Sequence, residues 1–384
     1  MMADNIEHVI SYWVVFEKFR SPALGGFAVI AHWLPFLLFS IHAGALTDRF
    51  DARRVIQAGM VLFMAISVAW GVLFATDTLQ MWHAMVLLVL HGVAGVLWSP
   101  ASQVLLHHVV PLDALPSAVR LNATARQLGL LAGPAVGGLI LMVMGPIYGI
   151  FFNALLYLPT ILWLAKAPYD RSVHPTGQRA LLGLRDIAAT LREIARHPTI
   201  GSMVLLAGAA SFFIGNAYQA QMPGFAHELG HLHADFFYSM LLGADAAGAL
   251  TAGLILESRG LLPPRARTAF ILAAVWCCAL GAFALSPIYA LSLVVLFVAG
   301  FTELSFNSMA QTLVQLNAPA ASRGRIIGVF TMSSLGLRTF SGVSVGVMGS
   351  AIGIRAALAA SAAVLVTLSL SLLAWLSRRG QLQR

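Results

Sequence analysis

The chain has 384 residues, of which 59% are apolar and only 10% charged, with a formal net charge of +8. A soluble domain carries about 25% charged residues, so this composition excludes a water-solvated globule and makes lipid the main solvent. The basic residues are scattered through short loops between apolar runs, which excludes a nucleic-acid face and reports membrane topology instead.

In chain order, IEHVISYWVVFEKF (6–19) comes first. It is apolar but carries Glu7 and His8, and it is too short to cross a bilayer core of about 30 Å as a helix. It lacks the n-region and cleavage site of a signal peptide. The expectation is the remainder of a first membrane helix whose start lies upstream. Spans follow at 24–46, 55–75, 81–106, 121–144, 147–166, 200–224, 236–256, 268–286, 288–309, 325–348 and 354–377, each near the roughly 20 residues a bilayer requires. The two cysteines, Cys277 and Cys278, are adjacent inside one apolar run and match no metal spacing, so they read as inert thiols.

Loops 47–54, 107–120, 166–199, 257–267 and 310–325, with the tail 378–384, hold 18 of the 23 Lys and Arg residues. The opposite loops hold Lys18, Arg20 and Arg355. The first set is therefore expected to be cytoplasmic, with the C-terminus on that side. Segment 167–199 joins the halves, and in it GLRDIAATLREIARH sets Leu184, Ile187, Leu191 and Ile194 on one helical face. This pattern suits a helix lying on the membrane surface or a solvated linker helix.

An internal repeat is visible. Gln103 and Pro111 in SPASQVLLHHVVP recur as Gln311 and Pro319 in NSMAQTLVQLNAP, both 208 residues on. Gly44 and Asp48 of GALTD recur as Gly253 and Glu257 of GLILE, 209 residues on. The expected fold is an all-α polytopic membrane protein of two six-helix halves, 1–166 and 200–384. Secondary transporters are commonly built from such repeats, with the substrate site between them at mid-membrane.

Two stretches carry a resemblance to the major facilitator superfamily. GALTDRFDARR (44–54) is similar to its signature loop G-x-x-x-D-R-x-G-R-[KR], with Asp51 in place of the second glycine and Ala52 in place of a base. GLLAGPAVGG (129–138) resembles the antiporter motif of the fifth helix, matching at Gly129, Gly133, Pro134, Gly137 and Gly138. Arg120 stands where the fuller motif has a further glycine. The overall pattern is most similar to the drug-exporter branch that contains macrolide-efflux and enterobactin-exporter-type proteins. The resemblance implies a conformational latch at Gly44, Asp48 and Arg49, extending less directly to Arg53 and Arg54. It also implies a tightly packed fifth helix of the kind associated with exporters. Independently of it, glycines spaced four apart allow close helix approach, Pro134 favours a bend, and Asp48 can cap a neighbouring helix.

Ionisable groups inside a membrane need a reason, since each costs about 2.5–3.5 kcal/mol at the bilayer centre. Asp245 and Glu303 are the first candidates for a proton-carrying carboxylate, followed by Asp4 and Glu7. Asn122 and Arg126 share a helix face, and Asn307 and Arg338 lie on later spans. The competing reading makes the acids structural partners of Arg126 or Arg338. His32, His42 and His91 lie on apolar runs and read as satisfied core histidines rather than ligands. Asn216, Gln219 and Gln221 line a cavity or mark where the seventh helix frays.

One motif points elsewhere. HELGH (227–231) fits the H-E-x-x-H pattern of zinc proteases, in which two histidines one turn apart hold the metal and the glutamate acts as base. Catalytic zinc needs a third protein ligand; His233 is too close in sequence to supply it, which leaves Asp235 and Asp245 as the conceivable ones. A non-catalytic external site made by His227, His231 and His233 is the weaker form of this reading. The chain contains no G-x-x-x-x-G-K-[ST] nucleotide loop. The expectation is thus a monomeric secondary transporter with no cofactor and no enzymatic activity. It would export small amphipathic molecules, with protons as the coupling ion. An importer or uniporter, or a membrane-embedded zinc protease, are the alternatives.

Overall fold

The computed structural model describes residues 2–19, 22–167, 183–215, 217–220, 222–229, 234–259, 263–341 and 348–378, and these residues are all-α. In chain order the helices of the first part are α1 (Met2–Phe19), α2 (Pro22–Arg49), α3 (Ala52–Ala75), α4 (Met81–Val109), α5 (Leu115–Leu156), α6 (Leu158–Lys166) and α7 (Leu184–Arg196). Then follow α8 (Pro198–Phe213), α9 (Ala217–Ala220), α10 (Met222–Glu228), α11 (Ala234–Arg259), α12 (Ala266–Leu285) and α13 (Tyr289–Asn317). The last are α14 (Arg323–Ser334), α15 (Met348–Ile352) and α16 (Ile354–Arg378). Seven described helical stretches are long and apolar enough to cross a membrane.

The chain divides into two compact units. The first contains Met1–Pro111, Ala125–Arg185 and Pro319–Met332; the second contains Leu112–Thr124, Asp186–Ala318 and Ser333–Arg384. Each unit thus takes in a short segment from the other half of the sequence. In the first, α4 packs against α2 and α3; in the second, α13 packs against α11 and α12. The sequence repeat is written in these helices. Met81 to Tyr289 and Val109 to Asn317 are both steps of 208, so α4 and α13 are 29-residue counterparts.

The close helix contacts rest on two glycines that are also 208 apart. A Cβ at Gly92 would overlap the Ala31 carbonyl of α2, and one at Gly300 would overlap the Asp245 carbonyl of α11. Only a residue without a side chain lets these backbones meet. Valine at either position is expected to lower stability by roughly 1–3 kcal/mol through overpacking. Thermal unfolding of each variant in detergent against the wild type measures this.

Four predicted spans are not simple helices. Span 121–144 and the first part of span 147–166 form one helical run, α5, interrupted at Gly145, whose φ of 71° and ψ of 174° lie outside helical space, and the rest of the second span is α6. The predicted boundary and the break coincide, whereas α5 runs on through Pro134 as helix. Span 200–224 stops at Phe213, where Gly215 turns at φ 47° into α9 and α10. Span 325–348 leaves the α-helix at Ser334 and continues as a 3-10 turn over Gly336–Phe340, and its residues 342–347 lie outside the described ones. The last two breaks are coupled within the second unit. The Ser211 hydroxyl donates to the Ser334 carbonyl at 2.9 Å, and a Cβ at Gly215 would meet the Ser341 side chain at 2.6 Å. A hydroxyl thus satisfies a carbonyl released by the broken helix, the condition on which broken helices are tolerated in membranes.

The linker helix α7 falls where the apolar face predicted it. Ile194 is buried against the start of α8, where a Cβ on Gly201 would touch its carbonyl, while Leu191 remains exposed. Cys277 is buried in α12 and Cys278 points outward.

Candidate functional site

The second unit gathers two acids around one phenol. Gly300 lets α13 approach α11 at Asp245, and one turn further along α13 stands Glu303. Beyond the Gly215 break, Tyr218 is fully buried. Its hydroxyl lies 3.1 Å from Asp245 Oδ2 and 3.2 Å from Glu303 Oε2. Gln219 donates to Asp245 Oδ2 and to the Tyr218 oxygen, both at 3.2 Å. Gln219, for which the sequence left cavity lining and fraying both open, is therefore part of the acid cluster. Asp245 Oδ1 is buried with no hydrogen-bond partner among the described residues. On the neighbouring 3-10 turn, Arg338 donates to the Ser334 carbonyl at 3.3 Å and is within electrostatic reach of Glu303.

The first unit holds a second buried cluster, built on α1, α2 and α4. His91 Nε2 lies 2.6 Å from Asp4 Oδ1, and His91 Nδ1 lies 2.7 Å from Glu7 Oε1. Glu7 also accepts from the Ser67 hydroxyl of α3, and Ser67 accepts from Asn153 Nδ2 of α5 at 3.3 Å. The ring of His8 stands 4.6 Å from that of His91 and 4.9 Å from that of His32. Asp4 and Glu7 thus pair with a histidine, not with the arginines considered from sequence. His32 and His91, read from sequence as satisfied core histidines, belong to the same group. Their partners lie on other helices, so no local pattern could reveal it.

The loop of the first resemblance is a set of caps. Asp48 accepts from the backbone N–H groups of Gly324 at 2.6 Å and Arg325 at 3.0 Å, and its Oδ2 lies 3.4 Å from Arg325 Nε. It therefore caps the N-terminus of α14, where unsatisfied N–H groups and the helix dipole favour a carboxylate. A Cβ at Gly44 would overlap the Gly324 carbonyl. Asp51, the departure from the family pattern, caps α3 by accepting from Arg53 N at 2.9 Å and pairs with its guanidinium at 2.7 Å. Burial pushes the Asp51 carboxyl up, but the hydrogen bonds and charge of Arg53, with the charge of Arg54, hold it below the ordinary carboxylate range. Arg53 also donates to the Ala167 carbonyl at 2.6 Å, tying α3 to the end of α6. Arg49 lies over the Phe50 ring, and both Arg49 and Arg54 are exposed.

In α5, a Cβ at Gly133 would meet Asn5 Cβ at 2.5 Å, and one at Gly137 would meet Ile6 Cα and Val9 Cβ at 3.1 Å. The glycine stripe is thus the seat of α1, the helix that carries Asp4 and Glu7. Gly129 is buried, whereas a Cβ at Gly138 would have open space. Asn122 and Arg126 are half-buried on α5, and Asn307 is half-buried on α13.

Only the first part of HELGH, His227 to Leu229, belongs to the described residues. Helix α10 takes in His227 and Glu228 and ends there. Glu228 is held by Arg355, Nε to Oε2 at 2.6 Å, and Arg355 also donates to the Ser286 carbonyl at 2.7 Å. The motif's glutamate is a loop anchor. The His227 side chain, His231 and His233 lie outside the described residues, as do Asn216 and Gln221.

A family profile described as transmembrane secretion effector matches residues 2–380. Among curated proteins, the enterobactin exporter EntS of Shigella boydii is 26% identical over 231 residues, 59% of this chain and 53% of that protein. EntS of Escherichia coli is 27% identical over 213 residues, 54% of this chain and 49% of that protein. The chain spans about half the length of these curated relatives. Among solved structures, the human organic anion transporter MFSD10 superposes with a TM-score of 0.80 at 13% identity, covering 97% of both chains. The Escherichia coli fucose:proton symporter FucP does so at 0.74 and 13%, covering 97% and 95%. The proton:xylose symporter XylE does so at 0.71 and 16%, covering 98% and 94%. At these identities the structural likeness speaks for fold.

Proposed function

The chain belongs to the transmembrane secretion effectors of the major facilitator superfamily and is a multi-pass secondary transporter, and from that premise we propose that it exports small amphipathic molecules in exchange for protons. The observation that carries the proposal is the Asp245–Tyr218–Glu303 group. A phenol has one hydrogen and can donate to one carboxylate at a time. With both acid oxygens at bonding distance, the second acid completes the bond only by donating, and so by carrying a proton itself. Two acids sharing one proton form a site that loads and releases it. The group stands beside two broken helices, the kind of element that frames substrate and ion sites in transporters.

The export direction is supported by the antiporter-like stripe at Gly133 and Gly137 and by relatives that are described as enterobactin exporters. The 18-to-3 imbalance of basic residues supports an inner-membrane protein with its C-terminus in the cytoplasm. Alternating access of two sequence halves, 1–166 and 200–384, about the linker 167–199 is the motion this reading requires. A single chain suffices for it, because both candidate clusters are complete within one copy.

Expression in an efflux-deficient bacterium, followed by susceptibility and accumulation measurements over a panel of amphipathic compounds, tests the direction. Lower accumulation of at least one compound, restored by a protonophore, is the expected result. Higher accumulation on expression overturns export.

A further inference from the structure

We propose that Asp4, His8, His32 and His91 form a binding site for one divalent transition-metal ion inside the first unit. The ligating atoms of these four side chains lie within 4.8 Å of one another. Nitrogen and oxygen ligands sit about 2.0–2.2 Å from a Zn²⁺ ion, so ligands across the ion are separated by about 4 Å and small rotations of the rings close the shell. Three imidazoles with one carboxylate suit Zn²⁺, Co²⁺, Ni²⁺ or Fe²⁺. Magnesium and calcium take oxygen ligands and are poorly served by such a set.

The surroundings of the cluster point to a ligand independently of this spacing. A metal-binding histidine almost always gives its other ring nitrogen to a carboxylate or carbonyl, which fixes its tautomer and aims the free nitrogen. His91 has that arrangement ready-made, with Nδ1 2.7 Å from Glu7 Oε1. Glu7 is 1% exposed and His91 3%. Glu7 is in turn fixed by Ser67, and Ser67 by Asn153. Three successive side chains thus serve to orient one imidazole toward Asp4, His8 and His32. A core histidine needing only to be satisfied would be served by a single acceptor; this one has two carboxylates and an ordered chain behind one of them. The Phe63 ring packs edge-on against His91 at 4.7 Å, and the fully buried Ile6 and Ile10 of α1 line the same core. These groups supply the apolar shell that excludes water from a metal centre.

Without an ion, Asp4 Oδ1 and His91 Nε2 satisfy each other directly at 2.6 Å. A metal enters by replacing that contact: both atoms turn to the ion, His8 and His32 add their nitrogens, and the Glu7 bond to Nδ1 remains. The site shares no residue with the Asp245–Glu303 group, so it stands or falls independently of the transport reading.

The test is a titration of the full-length protein in detergent with Co²⁺, followed by Zn²⁺ displacement. Wild type is expected to bind one Co²⁺ per chain, with the visible absorption of a nitrogen-rich low-coordinate shell. His8→Gln and His32→Gln are expected to abolish that spectrum. Glu7→Gln, which keeps the ligands but weakens their orientation, is expected to cost about 10–100-fold in affinity at unchanged stoichiometry. Circular dichroism and gel filtration of the same samples establish that each variant is folded. X-ray absorption of the Zn²⁺-loaded wild type reads the site without any variant, and an imidazole-rich shell is the expected result. The proposal is overturned by folded wild type that binds no stoichiometric ion, by an oxygen-only shell, or by variants that bind as wild type does. It is equally overturned if binding is lost in a variant with His227, His231 and His233 all changed to Ala and persists in His8→Gln and His32→Gln.

Discussion

Asp245→Asn is expected to leave substrate exchange across reconstituted vesicles intact and to abolish its response to an imposed pH gradient; Glu303→Gln is expected to do the same. Both substitutions preserve volume and most hydrogen bonds, so the substrate path persists while the proton carrier is removed. The geometry also separates the two residues from their neighbours. Tyr218 bridges both acids, and Tyr218→Phe removes the bridge without removing either carboxyl. Its gradient-driven transport is expected to be reduced but present. Stability provides an internal control. A buried ionisable group costs about 2.5–3.5 kcal/mol in a bilayer, so neutral amides should unfold no earlier than wild type in a thermal scan. If Asp245→Asn and Glu303→Gln both keep full gradient response, these acids are structural and the proton path lies elsewhere.

Asp48→Ala is expected to slow transport about tenfold while leaving substrate affinity within a few-fold of wild type, as follows from losing about 1–2 kcal/mol of capping on one conformational state. Asp48 accepts from two N–H groups at the start of α14, and Gly44 lets the same helix approach by contact with Gly324 and Gly328. Both features belong to one conformation of a transporter that must alternate between at least two. Gly44→Val removes the close approach by sterics rather than by charge. It is expected to give the same slow phenotype, since a Cβ alone would already overlap the Gly324 carbonyl. Initial rates and binding affinity, measured on both variants, check this. Rates equal to wild type would mean that the Asp48 cap is a static brace.

The sequence made a good part of this legible. Apolar runs placed most of the membrane helices, and the 208-residue repeat appeared in the structure as the matched pair α4 and α13. Periodicity works there because burial in lipid or in a bundle leaves its mark on consecutive residues. The capping role of Asp48 was readable because it depends on one carboxylate at a loop. What stayed hidden was set by packing between distant segments. Helix breaks at Gly215 and at 336–340 look like ordinary apolar sequence, because the hydroxyl that satisfies them comes from Ser211 on the other segment. Gln219 stayed open between a cavity lining and a frayed end because its acceptor, Asp245, is 26 residues away. The histidine cluster draws His8, His32 and His91 from three helices far apart in sequence, so no local spacing joins them. HELGH has a local spacing that the sequence kept only as an alternative for want of a third ligand, and its glutamate is committed to Arg355.

The central claim, transport driven by proton exchange, is tested most directly in proteoliposomes containing only this protein, loaded at acid pH and diluted into neutral buffer with a labelled compound from the susceptibility panel. Protons leaving the vesicles should draw the compound inward to a concentration above that outside. A protonophore should collapse the accumulation, and Asp245→Asn should show equilibration without accumulation. Uptake that merely equilibrates in wild type, unaffected by the direction of the gradient or by the protonophore, would contradict the account.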